Sequence, residues 1–437
     1  MQKIFPGLMP RASADPLSGA FEMPAISALL AMMPPEPPET GPAPYSAMWD
    51  PAPKAPLSVY ANVPFCPTFC PFCGFFKVRH DPEAESAYVD ALVSEARAEG
   101  ELADQAGLKV EALFVGGGTP TVLSADLLGK LLAGLRCAFP LADDYEWTLE
   151  ARASTFDAEK MALAWDSGVN RVSIGVQSFD GTVRNGAGRA DSGEEAAAGV
   201  KAAVAGARGA VAVDLMFGLP GQSLEIFARD LATAVEAGVS GVSAYLLKPM
   251  PWREGGEPWP PEPTPVSELA AYFRKADEIL RGQGFVRRIR SHWSRDPRDR
   301  SLYNLLVSGR RDMIGVGAAA GGFIQGRSYS NIRDIGLYIE AATRGEKPLR
   351  VVRPVADRHE ILDEASLVLA RGLIPYGLLG NPAWTAPPVA DLVSLWKEAG
   401  LVEDAEGGLR ITLAGYFWHW QMEGGLRAAF SSRSAAA

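Results

Sequence analysis

Residues 57–73 read Leu57-Ser-Val-Tyr60-Ala-Asn62-Val-Pro-Phe-Cys66-Pro-Thr-Phe-Cys70-Pro-Phe-Cys73. A near-continuous apolar run, as expected of a strand covered on both faces, leads directly into three cysteines spaced C-x3-C-x2-C. The chain has four cysteines in 437 residues, and the fourth, Cys137, stands alone. Such clustering excludes a disulfide scaffold and points to metal chemistry at the end of a strand. A structural zinc site wants four protein ligands; no fourth Cys or His lies at finger-like spacing, although His80 is seven residues on. An iron–sulfur cube held by three thiolates leaves one iron open to a small molecule. The prolines and phenylalanines between the cysteines stiffen the loop and shield it from water.

Working outward, five further runs have the same strand character: VEALFV from Val110, EWTLEA from Glu146, RVSIGVQ from Arg171, VAVDLMF from Val211 and GVSAYLL from Gly241. Amphipathic segments separate them. One opens at Ser124, a good N-cap, with Leu127, Leu128, Leu131, Leu132 and Leu135 on one stripe; another opens with Asp81-Pro82, a cap followed by proline at the first helical position. Repeated β-then-α units predict a parallel sheet with right-handed crossovers. Six units are fewer than the eight of a full barrel, so the expected fold is α/β, a partial (β/α)6 barrel open on one side. Residues 1–56, with nine prolines between Pro34 and Pro56, read as an irregular arm. Residues 57–248 form the barrel and 249–350 a linker or lid and a substrate-covering α+β extension, with seven prolines between Pro249 and Pro265. Residues 351–437 read as helix, helix and two short β-like runs around Gly407-Gly408, a small winged-helix-like module.

Forty-two Lys plus Arg against 52 Asp plus Glu give a net charge of −10, which argues against a nucleic-acid or membrane-surface binder. With no run of 18 apolar residues and no apolar leader, a soluble cytoplasmic protein is expected.

The cysteine cluster with Tyr60 before it and Gly74-Phe75 after it resembles the radical S-adenosylmethionine (SAM) enzymes, in the branch related to oxygen-independent coproporphyrinogen III dehydrogenase. The resemblance implies a [4Fe–4S] cluster on Cys66, Cys70 and Cys73, with SAM on the open iron. It implies that Gly117, Gly118 and Thr119, in the Gly116-Gly117-Gly118-Thr119-Pro120 stretch, hold the methionyl amino group, that Glu150 also serves SAM, and that Gln177 and Asp214 meet the ribose. Arg189 is implied at the SAM carboxylate, a bidentate task suited to guanidinium, and Tyr60 at the catalytic centre. Two departures bear on the branch. Asn62 stands where the dehydrogenases read Tyr-x-His, and Phe75 stands where they carry a further Cys; the late Cys-x-His-Asn stretch of the heme-chaperone relatives is absent too.

Ser291-His292-Trp293, Tyr303-Asn304-Leu305-Leu306 and the glycine-rich Gly315 to Gly326 are similar to the anaerobic heme-degrading radical SAM methyltransferases of the HutW/ChuW type. That resemblance implies a radical generated from SAM, attack on a meso carbon of heme, and release of iron from a methylated linear tetrapyrrole. It also implies an electron donor such as a flavodoxin or reductase. Arg287, Arg288, Arg290, Arg295, Arg298 and Arg300 place six guanidinium groups in fourteen residues, a patch suited to two propionates. His292 is expected to ligate heme iron or pass a proton, and Trp293 to stack on the macrocycle. His359 and His419 have no motif around them. Oxidative decarboxylation of coproporphyrinogen and heme trafficking are the rival readings.

Overall fold

The computed structural model describes residues 7–22, 45–50, 53, 56–248, 259–260, 262–353 and 359–431. Six parallel strands form the expected scaffold: β1 (Leu57–Val63), β2 (Val110–Gly117), β3 (Leu141–Ala151), β4 (Arg171–Gln177), β5 (Ala210–Phe217) and β6 (Gly241–Leu246). Each lies beside its successor. Helices Pro82–Gln105, Ala125–Ala138, Ala158–Asp166, Gly193–Ala205 and Leu224–Glu236 cross over between them. Asp81 accepts from the Glu83 and Ala84 amides and Ser124 from the Leu127 amide, so both caps satisfy donors that the first helical turn leaves open. Leu128, Leu131, Leu132 and Leu135 are buried against the sheet, while Leu127 at the stripe's edge is only half-buried.

The sheet does not stop at six strands. The hairpin β7 (Val286–Ile289) and β8 (His292–Ser294) is added antiparallel to β6. At the other edge β9 (Met313–Val316) pairs parallel to β1, so the glycine-rich stretch supplies a seventh parallel strand. It continues antiparallel through β10 (Gly321–Ile324), β11 (Arg327–Asn331) and β12 (Leu349–Arg353). The resulting twelve-stranded order is β12-β11-β10-β9-β1-β2-β3-β4-β5-β6-β8-β7. Periodicity missed β9 because it is four residues long and Gly315 breaks its apolar run; Gly315 is required, since a Cβ there would sit 2.1 Å from the Gly321 carbonyl.

Beyond the sheet lies a three-stranded unit of β13 (Leu373–Pro375), β14 (Val402–Ala405) and β15 (Gly408–Ile411), with helix His359–Arg371 before β13 and helix Val389–Glu398 between β13 and β14. A last helix, His419–Ser431, was not expected from sequence. Part of the arm is ordered against it: Pro16–Gly19 is a short helix whose Pro16 carbonyl accepts from Trp418 Nε1 at 3.1 Å, and Phe21 and Trp418 have ring centroids 5.4 Å apart. The reading of an irregular arm therefore fails at 16–19. Most of its proline-rich part, and most of the linker after Lys248, lie outside the described residues.

Candidate active site

The site is built at the carboxyl ends of the parallel strands, where turns into helices leave backbone amides and side chains facing one mouth. β1 ends in the cysteine loop. Cys66 is buried, Cys70 and Cys73 are partly open, and none is in a disulfide. Among the described residues no three His, Cys, Asp or Glu converge on a position for a single ion. Zinc would need that convergence. A cubane's thiolates grip separate irons and stand farther apart. His80 is taken by Glu85 instead.

The loop after β2 locks onto the cysteine loop. Gly118 N–H donates to Val63 O and Thr119 N–H to Phe65 O, both at 2.8 Å, and Thr119 Oγ1 lies 3.7 Å from Cys66 Sγ. The glycines there are obligatory: Gly117 has φ +112°, and a Cβ on Gly118 would sit 2.5 Å from the Pro64 and Phe65 carbonyls. Glu150, at the end of β3, accepts from Gly117 N–H at 3.1 Å. Burial, then the neighbouring Asp214 carboxylate, push its pKa up to about 7. Asp214 accepts from Ser173 Oγ at 3.0 Å, and burial raises its pKa too. Tyr60 donates to Asn62 Oδ1 at 3.0 Å and stacks with Phe114 and Tyr303, giving the mouth an aromatic wall.

Three buried polar atoms at this mouth have no partner among the described residues: Gln177 Oε1, Arg189 Nε and Arg152 Nε. Gln177 also has φ +68°, a left-handed conformation that a non-glycine residue adopts at a cost. Unpaired buried groups cost about 1–3 kcal/mol each. Their gathering around the cysteine loop fits a polar ligand that completes them. Arg189 stands beside Cys70, whose Sγ lies 4.0 Å from Gly188 O, and burial pulls the guanidinium's pKa down to about 10. The residues present therefore fit a three-thiolate cluster with SAM.

Arg152 was missed in sequence. Its Nη1 donates to Thr68 Oγ1 at 2.9 Å, inside the cysteine loop, and a cation one residue past a strand end was the available signal. Asn62 registered only as a departure from the dehydrogenase pattern. In the fold its Nδ2 donates to Ala318 O at 2.6 Å, tying Tyr60 to the loop after β9.

The structure buries the second expected group behind this mouth: Ser243, the β6 partner of Asp214, lies between Asp214 and His292. His292 is 2% exposed and pairs with Ser243 in the lower half of β6; its Nδ1 lies 3.0 Å from Ser243 Oγ and its Nε2 2.9 Å from Asp299 Oδ2. Both ring nitrogens are engaged, so neither is free to ligate iron or reach substrate. Trp293 is fully buried, with Nε1 donating to Asp277 and Arg287 stacked 4.1 Å from its ring. The arginine stretch is likewise dispersed. Arg287 pairs with Asp277, Arg298 with Asp296 and Arg300 with Asp144, Arg295 donates to Val239 O, Arg288 is exposed, and Arg290 approaches the mouth's rim. The patch read along the sequence dissolves because Asp277 and Asp144 come to it from other elements and Asp296 answers Arg298 from within the stretch.

The profile described as Radical SAM superfamily matches residues 63–234. Anaerobilin synthase of Escherichia coli O157:H7 is 36% identical over 373 residues, 82% of this chain and 81% of that protein. Heme chaperone HemW of Escherichia coli K12 is 34% identical over 61% of this chain and 70% of its own. A solved structure of coproporphyrinogen III oxidase (HemN) from Escherichia coli, described as a radical SAM enzyme, superposes with a TM-score of 0.74 at 22% identity, covering 92% of this chain and 98% of that one.

Proposed function

This chain belongs to the radical SAM superfamily, and we propose that within it the protein is the methyltransferase that opens heme anaerobically to a methylated linear tetrapyrrole with release of iron. The observation that carries this reading is the extent of the likeness to anaerobilin synthase, which spans 82% of the chain and so reaches well beyond the barrel. Asn62 and Phe75, where the dehydrogenase branch reads His and Cys, speak against decarboxylation of coproporphyrinogen.

The cluster, when bound, supplies the electron that cleaves SAM to a carbon radical. Cys66, Cys70 and Cys73 hold it; Arg189 takes the SAM carboxylate, Gly117, Gly118 and Thr119 the amino end, and Gln177, Asp214 and Glu150 its remaining polar atoms. Tyr60, Phe114 and Tyr303 wall the mouth and exclude water from the reacting atoms. A flavodoxin or reductase delivers the electron.

Anaerobically reconstituted protein given heme, SAM and a low-potential reductant is expected to lose the heme Soret band, release iron and yield a methylated linear tetrapyrrole. Cys73→Ala is expected to lose all three. Conversion of coproporphyrinogen to protoporphyrinogen with carbon dioxide instead would make it a dehydrogenase; stoichiometric heme binding without SAM turnover would make it a carrier.

A further inference from the structure

On the rim of the same mouth, at the end of β6, an exposed indole lies between two cations. Trp420, in the first turn of the last helix, is 55% exposed. Lys248 Nζ stands 4.0 Å and the Arg290 guanidinium 5.2 Å from its ring. Lys248 lies two residues past β6. Arg290 sits in the β7–β8 turn, held there because Ser291 O accepts from Ala244 N–H of β6 at 2.8 Å.

Two like charges against one exposed ring repel each other. Lys248 makes no ion pair among the described residues, and its pKa is lowered by burial and then by Arg290. Arg290 reaches Glu423 only at 3.7 Å, and its Nε is buried without a partner. His419, packed edge-on to Trp420 and 3.2 Å from Glu423, adds no charge at neutral pH, since burial and then Arg290 draw its pKa down to about 4. In a chain of net charge −10 this is a built excess of positive charge beside a flat apolar face.

The rim leads inward. Tyr245, on the same strand end, keeps 39% of its surface open while its phenol lies beside Asp214 and Glu150. An anionic planar ligand seated on the rim therefore extends over the SAM residues.

We infer that Trp420, Lys248 and Arg290 form the carboxylate anchor for the tetrapyrrole, with a pyrrole edge on the indole and the propionates on the two cations; this rests on the heme reading above. Cations held over an aromatic face and charge-assisted bonds to carboxylate supply the affinity. The anchor thus falls to the last helix and the strand end, in place of the arginine stretch and His292.

The test is a Soret titration of the reconstituted protein with heme and with heme dimethyl ester, whose propionates carry no charge. Lys248→Glu and Trp420→Ala are each expected to weaken heme binding about tenfold or more, the scale of one charged hydrogen bond. Lys248→Glu should leave the ester's affinity where it was, and Lys248→Arg should keep heme binding near wild type. SAM affinity, unchanged in each variant, certifies the fold, and Lys248→Gln serves if the charge reversal proves unstable. Heme affinity unchanged in both Lys248→Glu and Trp420→Ala, or ester and heme lost in parallel in Lys248→Glu, overturns the anchor while leaving the heme reading intact. No saturable heme binding by the wild-type protein overturns both.

Discussion

Glu150 is a strained titratable side chain of the barrel mouth. It is held by one backbone amide and faced by Asp214, and its pKa of about 7 means that the folded chain without ligand favours its neutral form. The sign follows from linkage. A carboxyl whose folded pKa is raised stabilises the fold below its unfolded value of 4.5, and that contribution is lost as pH rises through about 7. Relative to Glu150→Gln, the ligand-free wild-type protein is expected to lose up to about 3 kcal/mol between pH 4.5 and pH 8, from the two to three pH units separating the values. Denaturant titrations at the two ends measure it; equal slopes for wild type and variant would remove the strain assigned to Glu150. Legibility differed sharply between residues. Cys66, Cys70 and Cys73 were readable because their chemistry lies in a short spacing. His292 was misread because its partners, Ser243 and Asp299, are recruited by the pairing of β8 with β6.

At the level of elements, the lower end of the barrel is closed by a polar plug. Arg171 at the start of β4 donates to Asp299 Oδ1 at 2.7 Å, and Asp299 also meets His292, which reaches Ser243 on β6. Burial alone would raise the Asp299 carboxyl, but His292 and Arg171 together hold it well below the usual carboxylate range. The plug fits closely: a Cβ on Gly241 would sit 1.8 Å from Asp299 Oδ2. Removing one partner of a buried polar pair leaves the other unsatisfied, so His292→Ala is expected to cost about 1–3 kcal/mol of stability. Heme affinity of the folded variant should stay near wild type. Thermal melts and a Soret titration decide the matter: lost heme binding at unchanged stability would return His292 to the substrate. The strand core was legible here to within a residue or two, β1 and β4 to the residue, except that β3 begins at Leu141, five residues before the run read from Glu146. Fully buried parallel strands read as apolar runs whatever lies beside them. β9 was not, because its glycine serves close approach to β10.

At the scale of the molecule, the two ends of the chain close on each other. Phe21 is buried on Trp418, the residue immediately before the helix that carries Trp420. Phe21→Ala is expected to destabilise the protein by about 3–5 kcal/mol, the range for emptying a buried aromatic position. A fall in melting temperature checks it, and an unchanged one would detach the arm from the fold. The amino-acid sequence by itself determined the six barrel strands, the helix caps, the three-thiolate loop and the family, because each is written in residues a few places apart. Only the tertiary structure decided which cations face the mouth. Arg287 and Arg300 are neutralised by Asp277 and Asp144 from other elements, while Lys248 and Arg290 are left together on Trp420. Charge acts through space, and only folding brings the end of β6, the β7–β8 turn and the last helix to one edge.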